Sequence, residues 1–240
     1  MSLSAVLWDL DGTLLDTEHL WLAAEQQVMA IHGYTWTEND QEHCLGGPLE
    51  RVAAYMVERS GTSASAEQIG AELLSAMEAL LIAHDPMWRS GVVSLISQMR
   101  ARQIPLALVT ASHRRLLDAL DATLESTLAA DAGVEAPVFT VTVAGDEVPA
   151  TKPDPHPYLE AARRLGVSIA DCVVIEDSPT GVAAGLASGA LVVAVPHMAP
   201  ISAGPRCEVV ASLEDIDLDQ IITWLDASTG QNPGSHEAPR

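Results

Sequence analysis

Short apolar runs that alternate with helical patterns constrain this chain more than any other feature. AVLWDLD starts it, and IPLALVT, VFTVTVA, CVVIED and ALVVAVP follow from Ile104 onward. Such runs, several rich in β-branched residues, read as strands buried on both faces of a parallel sheet. Between them lie helix-like stretches such as HRRLLDALDATL and PYLEAARRLG, the second ending in a glycine suited to a helix C-terminus. Alternating strands and helices predict an α/β, doubly wound fold.

Residues 16–83 break that alternation. EHLWLAAEQQVMAIHG, PLERVAAYMVERSG and SAEQIGAELLSAMEALLIAH are helix-like, and Gly33, GGP at 46–48 and Gly61 punctuate them. This block reads as an all-helical cap inserted after the first strand. The expected division is a core of residues 1–15 and 84–227, a cap of residues 16–83, and a mobile, loop-like tail of residues 228–240.

Charge narrows the partners. The chain has 33 acidic residues against 12 basic, a formal net charge of −21. That balance repels nucleic acid and anionic membrane surfaces. It also repels phosphorylated metabolites at long range, so a phosphate site here needs a local cation. No apolar run approaches the roughly 18 residues of a membrane helix. The first positive side chain is Arg51, so a secretory leader is not expected. Cys44, Cys172 and Cys207 are widely spaced, without CxxC or zinc spacing, which predicts reduced thiols and a cytoplasmic location. A monomer is expected.

Several polar groups fall at or just beyond the ends of the predicted strands. Asp9 and Asp11 follow the first, with Gly12 permitting a tight turn. They make either an ordinary Asp-Gly turn or a carboxylate pair at the crevice where α/β proteins bind ligands, relieved by a hard cation such as Mg²⁺. Thr110 and Ser112 follow another strand, as helix-capping hydroxyls or as holders of a phosphate oxygen, with backbone N–H groups such as that of Ala111. Glu176 and Asp177 follow a fourth, where they either cap a helix or ligate a metal. Between these lies Lys152, the only lysine in a chain whose other eleven basic residues are arginine. It is either a solvated surface lysine or a compact ammonium at a site that a planar guanidinium does not fit.

With these residues in order, the sequence resembles the haloacid dehalogenase superfamily, in its branch of cap-bearing phosphatases and β-phosphoglucomutase-like proteins. DLDGT (Asp9 to Thr13), VTAS with Thr110, KPDP with Lys152 and IEDS with Glu176 and Asp177 carry the resemblance, which spans about residues 3–227. It implies that Asp9 is the nucleophile forming an aspartyl-phosphate, and that Asp11 is the general acid and then the base. It implies that Asp11, Gly12, Thr110, Ala111 and Lys152 bind the phosphoryl group. Mg²⁺ is expected on Asp9, the Asp11 carbonyl, Asp177, and Glu176 directly or through water. Phosphoryl transfer requires such an in-line nucleophile and positive charge around the transferring oxygens. Lys152→Arg is accordingly expected to lose activity with its melting temperature unchanged.

The resemblance leaves four readings: a Mg²⁺-dependent phosphatase of a small phosphorylated metabolite, a phosphoglucomutase-like mutase, a dehalogenase, and a non-enzymatic binder of phosphorylated ligands. Family dehalogenases lack the second aspartate, and non-enzymatic relatives normally lack the nucleophile or lysine; both are present here. Mutases carry a cap histidine where this chain has Trp21, and a basic residue near CLGGPLER, where it has Gly46 and Gly47, with Arg51 a turn later. A phosphatase is therefore expected. Substrate choice is expected to fall on Glu18, His19, Trp21, Cys44, Gly47 and Arg51 of the cap, with His113 and Arg114 after the second motif.

Overall fold

The computed structural model describes residues 3–44 and 48–229. Its centre is a six-stranded sheet of β1 (Ala5–Trp8), β2 (Leu106–Val109), β3 (Val141–Val143), β4 (Cys172–Glu176), β5 (Leu191–Ala194) and β6 (Cys207–Val209). The strand order is β3-β2-β1-β4-β5-β6, and every pairing is parallel. β1 is followed outward by β2 and β3 on one side, then the chain returns to β1's other edge with β4. The reversal opens a crevice at the carboxyl ends of β1 and β4, the usual ligand position in such sheets.

β1, β2, β4 and β5 are buried on both faces, as the apolar runs predict, and the edge strands β3 and β6 only in part. On β1, Val6 and Trp8 join one core while Ala5 and Leu7 join the other. The second core is covered by α7 (His156–Leu165) and α8 (Pro179–Ser188), through Tyr158, Ala161, Val182 and Ala184. The first is covered by α5 (Val92–Ala101), α6 (Arg114–Ala132) and α9 (Leu218–Thr229). Alternate side chains of one strand point to opposite faces, so a continuous apolar run serves both layers.

Between β1 and α5 lie α1 (Glu18–Ile31), α2 (Glu38–Cys44), α3 (Leu49–Ser60) and α4 (Ala66–Ala83). Leu20, Val28, Met56, Ile69, Leu73 and Met77 from this helical block join the first sheet-face core in one apolar cluster. Local chemistry sets the helix ends. Ser65 accepts from the Gln68 N–H at the start of α4, and Gly61 and Gly166 end α3 and α7 with left-handed backbones.

Several elements differ from the sequence reading. β6 and α2 were not anticipated. β6 has only three residues on the sheet edge, and α2 is seven residues of mostly polar side chains. β3 is shorter than VFTVTVA: the backbone N–H groups of Val138 and Phe139 donate to the Glu125 carboxylate instead of a neighbouring strand. α9 runs through Thr229, two residues into the stretch of loop composition that begins at Ser228; residues 230–240 of that expected tail lie outside the described part. Cys44, Cys172 and Cys207 are buried free thiols. Among the described residues no helix is long and apolar enough to cross a membrane.

Candidate active site

Asp9 continues the β1 ladder, its N–H donating to the Ile175 carbonyl at 3.1 Å. The chain then turns tightly, with Gly12 N–H donating to Leu15 O at 2.8 Å. Gly12 has φ +82°, and a Cβ there would lie 2.3 Å from Oδ2 of Asp177. Conformation and space therefore both demand glycine between the β1 and β4 loops. Gly181, in the first turn of α8, meets the same spatial condition: a Cβ would fall 1.7 Å from Glu176 Oε1.

Lys152, from the loop after β3, is 4% exposed. Its ammonium donates to Asp9 Oδ1 at 2.5 Å, Glu176 Oε1 at 2.7 Å and the Val109 carbonyl at 3.0 Å. An ammonium has three donors, and each has an acceptor here. Nζ also lies 5.0 Å from the centre of the Tyr158 ring. Glu176 accepts from Tyr158 Oη on Oε1, and from the Asp177 N–H and Ser178 N–H and Oγ on Oε2. Ser178 in turn caps α8 by accepting from Gly181 N–H. Thr13 Oγ1 donates to Asp177 Oδ1 at 3.2 Å.

Oxygen atoms of the buried Asp9, Glu176 and Asp177 lie within 4.8 Å of one another. One lysine faces these three carboxylates. Burial, reinforced by Glu176 and Asp177, raises the Asp9 carboxyl well above its usual range despite Lys152. Burial, with Glu176 and Glu18, pushes Asp177 up to about 8. Burial alone would lower the Lys152 ammonium, but Asp9 and Glu176 outweigh it and raise it. Such an all-oxygen, charge-deficient cluster fits a hard divalent cation such as Mg²⁺.

Asp11 projects the other way. Its Oδ1 accepts from Thr17 Oγ1 at 2.8 Å and from Trp21 Nε1 at 3.3 Å, at the start of the helical block. Its Oδ2 accepts from Ser112 Oγ at 2.8 Å and from Thr110 Oγ1 at 3.2 Å, beyond β2. Asp11 thus bridges the two halves of one cavity of about 300 Å³. Asp9, Thr110, Ala111, Lys152 and Asp177 line its sheet end. Glu18, Trp21, Glu25, Gln41, Glu42 and Cys44 line its cap end.

Not every expected specificity residue reaches this cavity. His113 lies on its rim, with Nδ1 3.5 Å from Asp146. Arg114 instead binds Glu147 and the Thr142 hydroxyl. Arg51 donates to the carbonyls of His43 and Cys44, at the C-terminus of α2, where a cation and its donors are favoured. His19 is exposed and borders a different depression. Gly47 lies outside the described residues. Thr17, Glu25, Gln41, Glu42 and Tyr158 were missed. Only Thr17 and Glu25 carried any signal, a hydroxyl just past the first motif and an acid on the apolar α1 stripe.

Comparison with known proteins agrees with this geometry. The family model for haloacid dehalogenase-like hydrolases matches residues 3–189. The bifunctional riboflavin kinase/FMN phosphatase of Arabidopsis thaliana is 32% identical over 219 residues, which is 90% of this chain and 55% of that protein. Protein CbbY of Rhodobacter capsulatus is 34% identical over 210 residues, 82% of this chain and 86% of that one. The crystal structure of a CbbY mutant from Rhodobacter sphaeroides in complex with xylulose-(1,5)bisphosphate superposes with a TM-score of 0.77 at 24% identity, over 90% of this chain and 98% of that one. The chain belongs to the haloacid dehalogenase-like hydrolases. Relatives matched over most of their own length are named phosphatases, among them hexitol phosphatase A of Escherichia coli (31% identical over 207 residues, 81% of this chain and 84% of that one), and within the family this chain is an enzyme of the phosphoric monoester hydrolase class.

Proposed function

We propose that this protein is a Mg²⁺-dependent phosphatase of a small phosphorylated metabolite, acting through an aspartyl-phosphate on Asp9. The observation that carries the reading is the buried contact of Lys152 with Asp9 and Glu176 beside Asp177. A cation placed there neutralises a phosphoryl group beside a carboxylate nucleophile, and it acts more strongly in a water-poor pocket than in water.

The site residues account for both halves of the reaction. Asp9 attacks phosphorus while the bond to the ester oxygen breaks, and Asp11 gives that oxygen its proton. Asp11 then takes a proton from water as the water oxygen attacks phosphorus, releasing phosphate and restoring Asp9. Thr110 and the backbone around Ala111 hold the phosphoryl oxygens, and Glu176 with Tyr158 holds Lys152. Asp9, Asp177 and the Asp11 carbonyl, with Glu176 directly or through water, would hold Mg²⁺, which would supply charge neutralisation of the phosphoryl oxygens.

Trp21 supports hydrolysis over a mutase. An indole N–H donates only, so it cannot relay a proton as a histidine in its place could. The first test is phosphate release from phosphate monoesters with Mg²⁺ and after EDTA, on wild type and on Asp9→Asn. Activity that survives EDTA, or a rate above about a tenth of wild type in Asp9→Asn, overturns the mechanism. With β-glucose 1-phosphate and a bisphosphate primer, inorganic phosphate should appear faster than glucose 6-phosphate by NMR; the reverse order makes the enzyme a mutase.

A further inference from the structure

The two ends of the cavity carry different charge. Among the described residues that line the sheet end, Lys152 is the only lysine or arginine, and Asp9 and Glu176 already hold it. Among those that line the cap end are Glu18, Glu25 and Glu42 and no lysine or arginine. Arg114 binds Glu147 and Arg115 binds Glu78, while Arg51 donates to the carbonyls of His43 and of the lining residue Cys44. Between the acids run apolar walls from Trp21, Val52 and Leu73.

We infer that the cap end is a leaving-group subsite that excludes anions and takes an uncharged, hydroxylated carbon skeleton, with Glu18 and Glu25 as its specificity-determining residues. The inference rests on the phosphatase reading and narrows its substrate class. Carboxylates and the Gln41 amide match hydroxyl edges, and the apolar walls match C–H faces. A second phosphate or carboxylate on the leaving group would lie among like charges, in a cavity walled by protein where repulsion is poorly screened. Burial and the neighbouring Asp11, Glu25, Asp16 and Asp9 raise Glu18 to about 7, and burial raises Glu25 to about 7, so the two repel anions at pH values above that. The positive charge of Lys152 and of a bound Mg²⁺ would sit at the sheet end, where the transferring phosphoryl takes it up. The bisphosphate seen with Rhodobacter sphaeroides CbbY is therefore the wrong kind of ligand for this chain.

The test is calorimetric binding at about pH 8, where Glu18 and Glu25 are ionised, to Mg²⁺-loaded Asp9→Asn protein, with kcat/KM on wild type. The probes are glucose 6-phosphate, glucose 1,6-bisphosphate, 6-phosphogluconate and glucosamine 6-phosphate. The bisphosphate and the gluconate should each bind at least about tenfold more weakly than glucose 6-phosphate. Adding Glu18→Gln and Glu25→Gln together should narrow that gap at least about threefold. Equal binding of the bisphosphate, a gap unmoved by the double substitution, about tenfold preference for the amine, or no binding of glucose 6-phosphate at about 10 mM overturns the inference. Correct binding order without any turnover keeps the subsite and sinks the phosphatase reading. Turnover with the wrong order does the opposite.

Discussion

The two ends of the active-site cavity are built by different means. The sheet end hangs on the carboxyl ends of parallel strands, and each polar group there is gripped by others: Lys152 by three acceptors, and Glu176 by Lys152, Tyr158 and Ser178. The cap end is a meeting of helices, where Trp21 and the acids sit among apolar walls and Trp21 reaches the chemistry through Asp11. Strand register places a residue to within a fraction of an ångström and tolerates little change. Helix packing places a face, and leaves the side chains on it freer to vary. Substitutions at the sheet end should therefore abolish turnover, and those at the cap end should redirect it.

The largest expected effect is at the nucleophile. Asp9→Asn should lower kcat by at least about 10³-fold, with the circular dichroism spectrum unchanged. A cap-end substitution that matched this loss would erase the contrast between the ends.

Next is Lys152→Arg, expected to lower kcat/KM by about 10²-fold or more. The structure corrects the expectation of an unchanged melting temperature. Lys152 is buried against Asp9, Glu176 and the Val109 carbonyl, so the larger guanidinium must overpack the site and should cost about 1–3 kcal/mol of stability. Activity is therefore compared well below both melting temperatures. Near-normal turnover there would reduce the lone lysine to an accident of composition.

Trp21→Phe sharpens the comparison, because Trp21, with Thr17, touches Asp11 from the cap side. If it positions the general acid, kcat/KM for an alkyl phosphate should fall about tenfold, since its leaving oxygen needs a proton. p-Nitrophenyl phosphate, whose leaving group departs without one, should change by less than about twofold. Equal losses on both substrates would make Trp21 a packing residue only.

The smallest effect lies deep in the cap. Glu25 is buried, accepts from Trp36 Nε1 at 2.8 Å, and is raised by burial to about 7 from 4.5. A carboxyl raised on folding contributes stability that is complete below about pH 4.5 and is lost as the pH rises through about 7. Glu25→Gln, which keeps an acceptor for Trp36, should match wild type near about pH 4 and melt a few degrees higher at about pH 8. Melting curves at both pH values check it; a difference independent of pH would remove titration as the cause.

Legibility in the sequence followed the same division. Lys152 stood out as the single lysine, and Asp9, Thr110, Glu176 and Asp177 stood out as polar residues closing apolar strands. Those signals work because a strand's end is visible in its composition and a parallel sheet delivers its ends to one side. Arg51 and Arg114 show the converse. A charge beside a motif does not reveal its direction, and both guanidinium groups found local partners, the carbonyls of α2 and Glu147. Tyr158 gave no signal, because an aromatic on an apolar helix stripe reads as core; here it is core and also donates to Glu176.

By itself the sequence determined the α/β alternation, the helical insertion after the first strand, and the order of the four motifs. Period and composition are local properties of a chain, so they can be read without its neighbours. Only the tertiary structure decided that Asp11 is held by Thr17 and Trp21 from one side and by Thr110 and Ser112 from the other. It alone turned Glu18, Glu25 and Glu42 toward one cavity and gave Arg51 and Arg114 their partners, the α2 carbonyls and Glu147. Those contacts join residues up to 101 positions apart. They depend on how helices pack over the sheet, and no local pattern encodes that.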